Sequence, residues 1–506
     1  MMTKKRMGLI ALFILGLAVQ ACSAAPAYEF QPVLEDVGPT YGGLNPVNGE
    51  PYHDVFFEDY GVNPFIDTED DHLSTFALDV DTGSYTITRC YLRDGNLPPD
   101  EAIRVEEFVN FFDMEYALPE QEAFSIHLEG GPTPFIQNER YRMIRIGIQG
   151  YDIPDDERKD AMLTFVIDVS GSMDMENRLE AVKDALTGLV ESLRPSDQVG
   201  IVVYGSEAIK ILDPTPVSEE QTILAAIHRL EPDGATNAEE GLHMGYEMAS
   251  KSFLTGGINR VILCSDGVAN VGNTGPDKIL ETIREYASQG IQLTTVGFGM
   301  GNYNDVLMEQ LADDGDGFYA YVDTPEEAEK LFVDDLTGTL QAIAMDAKVQ
   351  VDFNPDVVSR FRLIGFENRA LEDDEFRDDS VDAGEIGAGH SVTALYEVKM
   401  TENAQGEIAT VFMRWQDPDT HEVNEISRSI ATSVLPATFE ETSSSFKLAV
   451  MVAEFAEILR DSYWAQQFTL NDIVEQLNSQ NWPQFDDELV LEFEELVHEA
   501  AKLSAK

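Results

Sequence analysis

The stretch Leu163-Thr-Phe-Val-Ile-Asp168-Val-Ser170-Gly-Ser172-Met173 decides how the chain is read. A short apolar run ends abruptly in an acid and two hydroxyls, spaced Asp-x-Ser-x-Ser. Such a run bounded by polar residues reads as a buried strand. In an open α/β sheet the loop after a buried parallel strand lies at the carboxyl edge, where ligands bind. Three oxygen-bearing side chains on alternate residues of one tight loop can converge on a hard cation such as Mg²⁺. Taken alone, the run is equally a strand-end turn, since Asp and Ser are common loop residues.

Around this run, residues 161–343 alternate strand-like and helical segments. Apolar runs at 163–168, 199–204, 207–212, 260–264, 291–297 and 317–322 are separated by helical patterns at 175–193, 218–230, 237–252, 276–289, 303–312 and 325–341. Leu179, Val182, Leu186, Leu189 and Leu193 fall on one face of the first helix. The alternation predicts an α/β fold, a doubly wound and mostly parallel sheet with helices on both faces.

On either side the pattern changes to period two, as in Phe124-Ser-Ile-His-Leu and Tyr141-Arg-Met-Ile-Arg-Ile-Gly-Ile. These β-rich flanks, 121–160 and 345–436, are expected to pair into one β-sandwich, with the α/β unit inserted between them and its two ends close together. The chain then divides into a signal segment (1–21), an acidic Pro/Gly-rich tether (22–70), an N-terminal extension of helix and strands (71–160), the α/β domain (161–343), a β-rich domain (344–436) and a helical C-terminal segment (437–506). The last carries Leu448, Val452, Phe455 and Leu459 along one face.

Two further loops belong with the first. Gly234-Ala-Thr236-Asn237 precedes a helix, and Asp266-Gly267 follows the apolar run Val261-Ile-Leu-Cys-Ser265. With these in place the sequence resembles the von Willebrand factor A (vWA) domain, whose metal-ion-dependent adhesion site combines Asp-x-Ser-x-Ser with a distant Thr and a distant Asp. Asp168, Ser170, Ser172, Thr236 and Asp266 fill every position. The resemblance implies direct ligation by Ser170, Ser172 and Thr236, with Asp168 and Asp266 acting through water. The implied cofactor is a divalent cation, Mg²⁺ first, with Mn²⁺ and Ca²⁺ as alternatives. Neutral hydroxyls leave much of the ion's charge unquenched, so a carboxylate from a protein partner can complete the coordination. Gly171 and Gly267 fit loops that turn sharply beside an ion.

Beyond this domain, Asp79-Val-Asp-Thr-Gly-Ser-Tyr85, Arg104-Val-Glu-Glu-Phe108-Val-Asn110-Phe-Phe112 and Gly365-Phe-Glu-Asn-Arg369-Ala-Leu371 resemble the extensions of a bacterial family of exported vWA lipoproteins. That family places the A domain between a characteristic N-terminal region and a C-terminal domain.

The N-terminus agrees with export. Lys4, Lys5 and Arg6 precede an apolar run from Met7 to Val19, then Gln20-Ala21-Cys22-Ser23. A basic start and a run too short to span a bilayer comfortably are a signal peptide. A small residue before Cys22 resembles a lipoprotein signal, with lipidation of the Cys22 thiol and a membrane anchor in the cell envelope. Gln20 departs from the usual pattern, and an ordinary signal cut after Ala25 or Ala27 is the alternative. Beyond Cys22 there are only Cys90 and Cys264. Cys264, inside an apolar run, reads as a buried free thiol.

The 93 Asp+Glu against 33 Lys+Arg give a formal net charge of −60. This excludes a nucleic-acid partner. The acids are spread along the whole chain, as on a surface adapted to saline surroundings. Asp313-Asp-Gly-Asp316-Gly317 reads as a helix-terminating turn rather than a Ca²⁺ loop. Asp79-Val-Asp81-Thr-Gly83-Ser84 has Cys90 where a calcium loop needs a bidentate acid. No nucleophile elbow, phosphate loop or zinc-protease helix is present, so the chain is expected not to be an enzyme. The expected function is cation-dependent binding of an acidic residue on a protein partner. The alternative is an envelope scaffold in which the same ion is structural.

Overall fold

The computed structural model describes residues 57–505, apart from 79, 137, 268–275, 300–303, 480, 481, 484 and 486. The signal segment, Cys22, most of the tether and Asp79 lie outside the described residues. No helix among the described residues is long and apolar enough to cross a membrane.

The N-terminal extension contributes β1 (Leu73–Ala77), α1 (Gly83–Arg93), α2 (Val105–Asn110), β2 (Phe124–Gly131) and β3 (Tyr141–Gly150). The α/β domain follows as β4 (Ala161–Asp168), α3 (Arg178–Ser192), β5 (Gln198–Tyr204), β6 (Ala208–Pro216), α4 (Glu220–Ile227), α5 (Ala238–Lys251), β7 (Ile258–Ser265), α6 (Pro276–Ala287), β8 (Gln292–Phe298), α7 (Asp305–Asp313), β9 (Tyr319–Val322), α8 (Pro325–Glu329) and α9 (Leu336–Leu340). Then come β10 (Ala342–Phe353), β11 (Val358–Ile364), β12 (Gly384–Gly387), β13 (Ser391–Met400), β14 (Glu407–Gln416), β15 (Val423–Ala431), α10 (Ser444–Leu459), α11 (Leu470–Leu477) and α12 (Glu488–Ser504).

The α/β sheet runs β9-β8-β7-β4-β5-β6, with every neighbouring pair parallel except the edge pair β5–β6. β4 sits in the middle and is buried along its whole length. Leu163, Phe165 and Ile167 enter the core shared with α3, and Val166 the core shared with α5, α6 and α7. A strand covered on both faces needs a continuous apolar run rather than an alternating one, which is what its sequence supplies. In register, Asp168 lies beside Tyr204 and Ile167 beside Cys264, so the ends of β4, β5 and β7 are level.

Two antiparallel sheets flank this domain. One holds Ile66–Asp67, β11, β13, β3 and β2; the other holds Ala370–Leu371, β1, β10, β14 and β15, with β12 on β10. Ile144, Ile146, Ile148 and Tyr396 from the first meet Phe76, Val349, Val351, Phe353, Val411 and Met413 from the second in one core, which makes a sandwich. Its strands come from both sides of the α/β domain, since β3 pairs with β13 from Tyr141 to Gln149. The entry and exit of the inserted domain meet, with Lys159 N donating to Gln341 Oε1 at 2.9 Å. α2 and the C-terminal helices cover the outer face of the first sheet around Phe108, Met143, Leu395, Phe455 and Phe493.

One element has no counterpart in the sequence reading, and another departs from it. Gly83–Arg93 is a helix, although Tyr85, Thr86, Ile87, Thr88 and Tyr91 favour strands. It is buried on nearly all sides, with Ile87 and Tyr91 packed into the α/β core, so tertiary burial overrides propensity. The single helix expected over 325–341 is broken by a π-helical turn at Lys330–Asp334, closed by Asp335 N donating to Lys330 O at 2.9 Å. Ala328, Phe332, Leu336 and Leu340, all in one core, recur every four residues. At 3.6 residues per turn that spacing drifts off the buried face, and a wider turn restores it.

Candidate functional site

The site is built where β4, β5 and β7 end. Asp168 is fully buried and Ser170 nearly so, while Ser172 and Thr236 are half-buried. Ser170 N donates to Asp168 Oδ1 at 2.7 Å, a local turn that fixes the loop. Ser265 Oγ donates to Asp168 Oδ2 at 3.0 Å and accepts from Gly267 N at 3.1 Å. The end of β7 is thereby tied to the end of β4. Ser170 Oγ and Ser172 Oγ lie 3.1 Å apart, with Ser172 in the 3₁₀ turn Gly171–Asn177.

The Thr236 loop is joined to the same place. Asp233 N donates to Val169 O at 2.5 Å and Gly171 N donates to Gly234 O at 3.2 Å. Gly234 has φ +84°, and a Cβ there would stand 2.2 Å from Ser206 Oγ; the close approach and the left-handed backbone both call for glycine. Gly267, at φ +124°, meets the expectation of a sharp turn. Gly171 does not: its φ is not positive, and a Cβ would meet only Gly234 O at 3.7 Å. Asn237 caps α5.

Asp266 Oδ2 accepts from Arg178 Nη1 at 2.8 Å, with both side chains buried. Arg178 was not legible as part of the site. Among the described residues, no basic side chain pairs with either oxygen of Asp168. Burial pushes its carboxyl up to about 6; the hydrogen bonds from Ser170 oppose that shift, and Asp266 adds to it. A buried carboxylate held this way lacks a counter-charge. Two carboxylates and three hydroxyls are a hard-oxygen donor set that suits Mg²⁺ or Mn²⁺ better than a soft metal. The residues therefore fit a divalent cation on chemistry and on electrostatics.

A second acidic group lies away from this edge. Oxygens of Asp316, Asp382 and Glu385 come within 4.8 Å of one another, where the turn before β9 meets β12. The turn reading of this segment holds: Gly315 N and Gly317 N both donate to Ala312 O, at 3.0 and 3.1 Å. The meeting with Asp382 and Glu385 has no sequence signal, because the residues are far apart in the chain. Cys264 is a buried thiol and Cys90 a half-buried one. Burial pushes the Cys264 thiol up to about 12.

Comparison with known proteins agrees with this architecture. Family models match as "von Willebrand factor" over residues 52–145, "von Willebrand factor type A domain" over 163–334 and "Uncharacterized protein YfbK, C-terminal" over 338–503. The Escherichia coli (strain K12) protein YfbK is 33% identical over 455 residues, covering 85% of this chain and 76% of that protein. Human inter-alpha-trypsin inhibitor heavy chain H3 is 31% identical over 167 residues, 31% of this chain and 18% of that protein. Among solved structures, a von Willebrand factor type A protein from Catenulispora acidiphila is 14% identical, covering 69% of this chain and 81% of that one with a TM-score of 0.41. Domains of the A type commonly mediate protein–protein binding and commonly hold a divalent cation. With a relative that runs through the extension, the A domain and the C-terminal region alike, the chain belongs to the YfbK family of bacterial vWA proteins.

Proposed function

We propose that this is an exported binding protein, not an enzyme, that grips a carboxylate of a protein partner through a divalent cation. Ser170, Ser172 and Thr236 would ligate the ion, with Asp168 and Asp266 supporting it through water. A lipid on Cys22 would hold the protein at a membrane of the cell envelope. The observation that carries the reading is the buried Asp168 carboxylate. It has no basic partner among the described residues, its carboxyl is held near 6, and it lies at the start of the loop where the Ser170 and Ser172 hydroxyls stand 3.1 Å apart. When bound, the cation supplies the positive charge that Asp168 lacks and an open position for a ligand oxygen.

Crosslinking capture from intact cells, with and without chelator, tests the function. Partner recovery is expected to fall with chelator and with a Ser170→Ala, Ser172→Ala double substitution. The scaffold alternative shares the buried Asp168, and gives the opposite pattern. There, chelation lowers the melting temperature strongly while capture under stabilising conditions is unchanged.

A further inference from the structure

Arg178 is the first residue of α3 and reaches back under the site to Asp266 at 2.8 Å. The Arg178 and Asp266 side chains are 3% and 2% exposed, so the ion pair is screened little by solvent. The seat of the arginine is built on its other side by Gly299, which follows β8. Gly299 has φ +79°, and a Cβ there would fall 2.4 Å from Arg178 Nε and 2.6 Å from Cδ. The backbone is therefore drawn up against the guanidinium stem, closer than any side-chain-bearing residue allows. Arg178 is thus held from three directions: by its own helix, by the end of β8 and by Asp266.

The consequence lies in the charge of the site. Asp168 and Asp266 bring two negative charges, the three hydroxyls bring none, and Arg178 cancels one of the two. A divalent cation seated there leaves one positive charge unbalanced beside the buried Asp168, Asp266 and Arg178 side chains. Without Arg178 the same cation would be neutralised by the two aspartates. An unbalanced buried charge is costly and is relieved by one anionic ligand. The arrangement therefore selects a single carboxylate over a neutral oxygen such as an amide or an alcohol.

We infer that Arg178 is a positioning residue. It fixes Asp266 and withholds one negative charge from the cation, so that the ion is held loosely alone and more tightly with a carboxylate. The inference rests on the proposed cation site and names the feature that makes its partner acidic.

The test is a Mn²⁺ titration of the full chain by calorimetry, in acetate and in chloride at matched ionic strength, with melting of the metal-free protein alongside. Wild type should bind Mn²⁺ more tightly in acetate. Arg178→Gln should bind Mn²⁺ on the order of tenfold more tightly in chloride and lose most of the acetate effect. Arg178→Lys keeps the charge, and should stay within about threefold of wild type with the acetate effect retained. Should Arg178→Gln not fold, the lysine variant decides the matter: loss of its acetate dependence overturns the inference. The inference is likewise overturned if Arg178→Gln matches wild type in both salts, or if both variants shift alike. Wild-type Mn²⁺ binding that needs Ser170 and Ser172 but ignores Arg178 defeats this inference alone. An absence of wild-type binding defeats the cation site as well.

Discussion

The guanidinium of Arg104 lies 2.7 Å from the carboxylate of Asp305, both buried, joining the N-terminal extension to the first residue of α7. Arg104 also pairs with Glu107 and stands 3.7 Å from Glu309. From the C-terminal side, Arg369 meets Glu309 at 3.2 Å and Asp313 at 2.9 Å, and Asn368 donates to Glu309 at 2.8 Å. Asp81 accepts from Tyr319 N at 2.9 Å. The sequence motifs that resemble the family's extensions therefore form one polar clamp on α7, the helix that follows β8 and the Arg178 seat, and on the start of β9.

Removing the centre of this clamp should be expensive for the fold. Arg104→Met leaves Asp305, Glu107 and Glu309 buried without their shared cation, and is expected to lower unfolding free energy by about 3–5 kcal/mol. Urea unfolding measures this. The exposed Lys502–Glu499 pair is the control, and Lys502→Ala should leave the midpoint where it is. Equal effects of the two substitutions would show that the clamp is ornamental.

The Thr236 loop should be sensitive to its glycine in a way the Asp168 loop is not. Gly234→Ala meets Ser206 Oγ and a left-handed φ, displacing Thr236, and Mg²⁺ binding should weaken by about tenfold or more. Gly171→Ala makes only an ordinary contact, 3.7 Å from Gly234 O, and should bind as wild type. A calorimetric comparison of the two separates loop geometry from a general need for small residues.

The acidic trio gives a pH signature. Burial raises the Asp316 carboxyl from its ordinary 3.8 to about 6, with Asp382 adding to the shift. A carboxyl raised on folding stabilises the fold below its unfolded value, and that contribution is lost as pH rises through the folded value. At neutral pH the ionised Asp316 is thus a liability. Asp316→Asn, which tolerates the φ of +47°, should stabilise by about 1–2 kcal/mol near pH 7.5 and by little near pH 4.5. Urea midpoints at the two pH values check this, and a shift of the same size at both would refute it.

How much of this was legible depends on range. The α/β domain could be read because β4 is covered on both faces and so writes itself as an unbroken apolar run. The sandwich that the α/β domain interrupts could be read from the return of period-two segments after 345. Asp168, Ser170 and Ser172 are local, and Thr236 and Asp266 could be joined to them only through the family resemblance. Arg178 was invisible because an arginine at a helix start looks like a solvated residue; its partner lies 88 positions away. Helix α1 was missed for the opposite reason, since its Thr, Ile and Tyr residues favour strands until burial decides otherwise. The roles of Arg104 and Arg369 are long-range ion pairs, which no spacing announces.

The central claim is that the Asp168 loop holds a divalent cation, and calorimetric titration of Mg²⁺ into the metal-free full chain tests it most directly. Enough salt must be present to screen the −60 surface. One ion per chain is expected for wild type, and none at that affinity for Ser170→Ala, Ser172→Ala, with the unfolding midpoint of the metal-free protein little changed. Absence of saturable binding in wild type, or binding that survives the double substitution intact, would contradict the account.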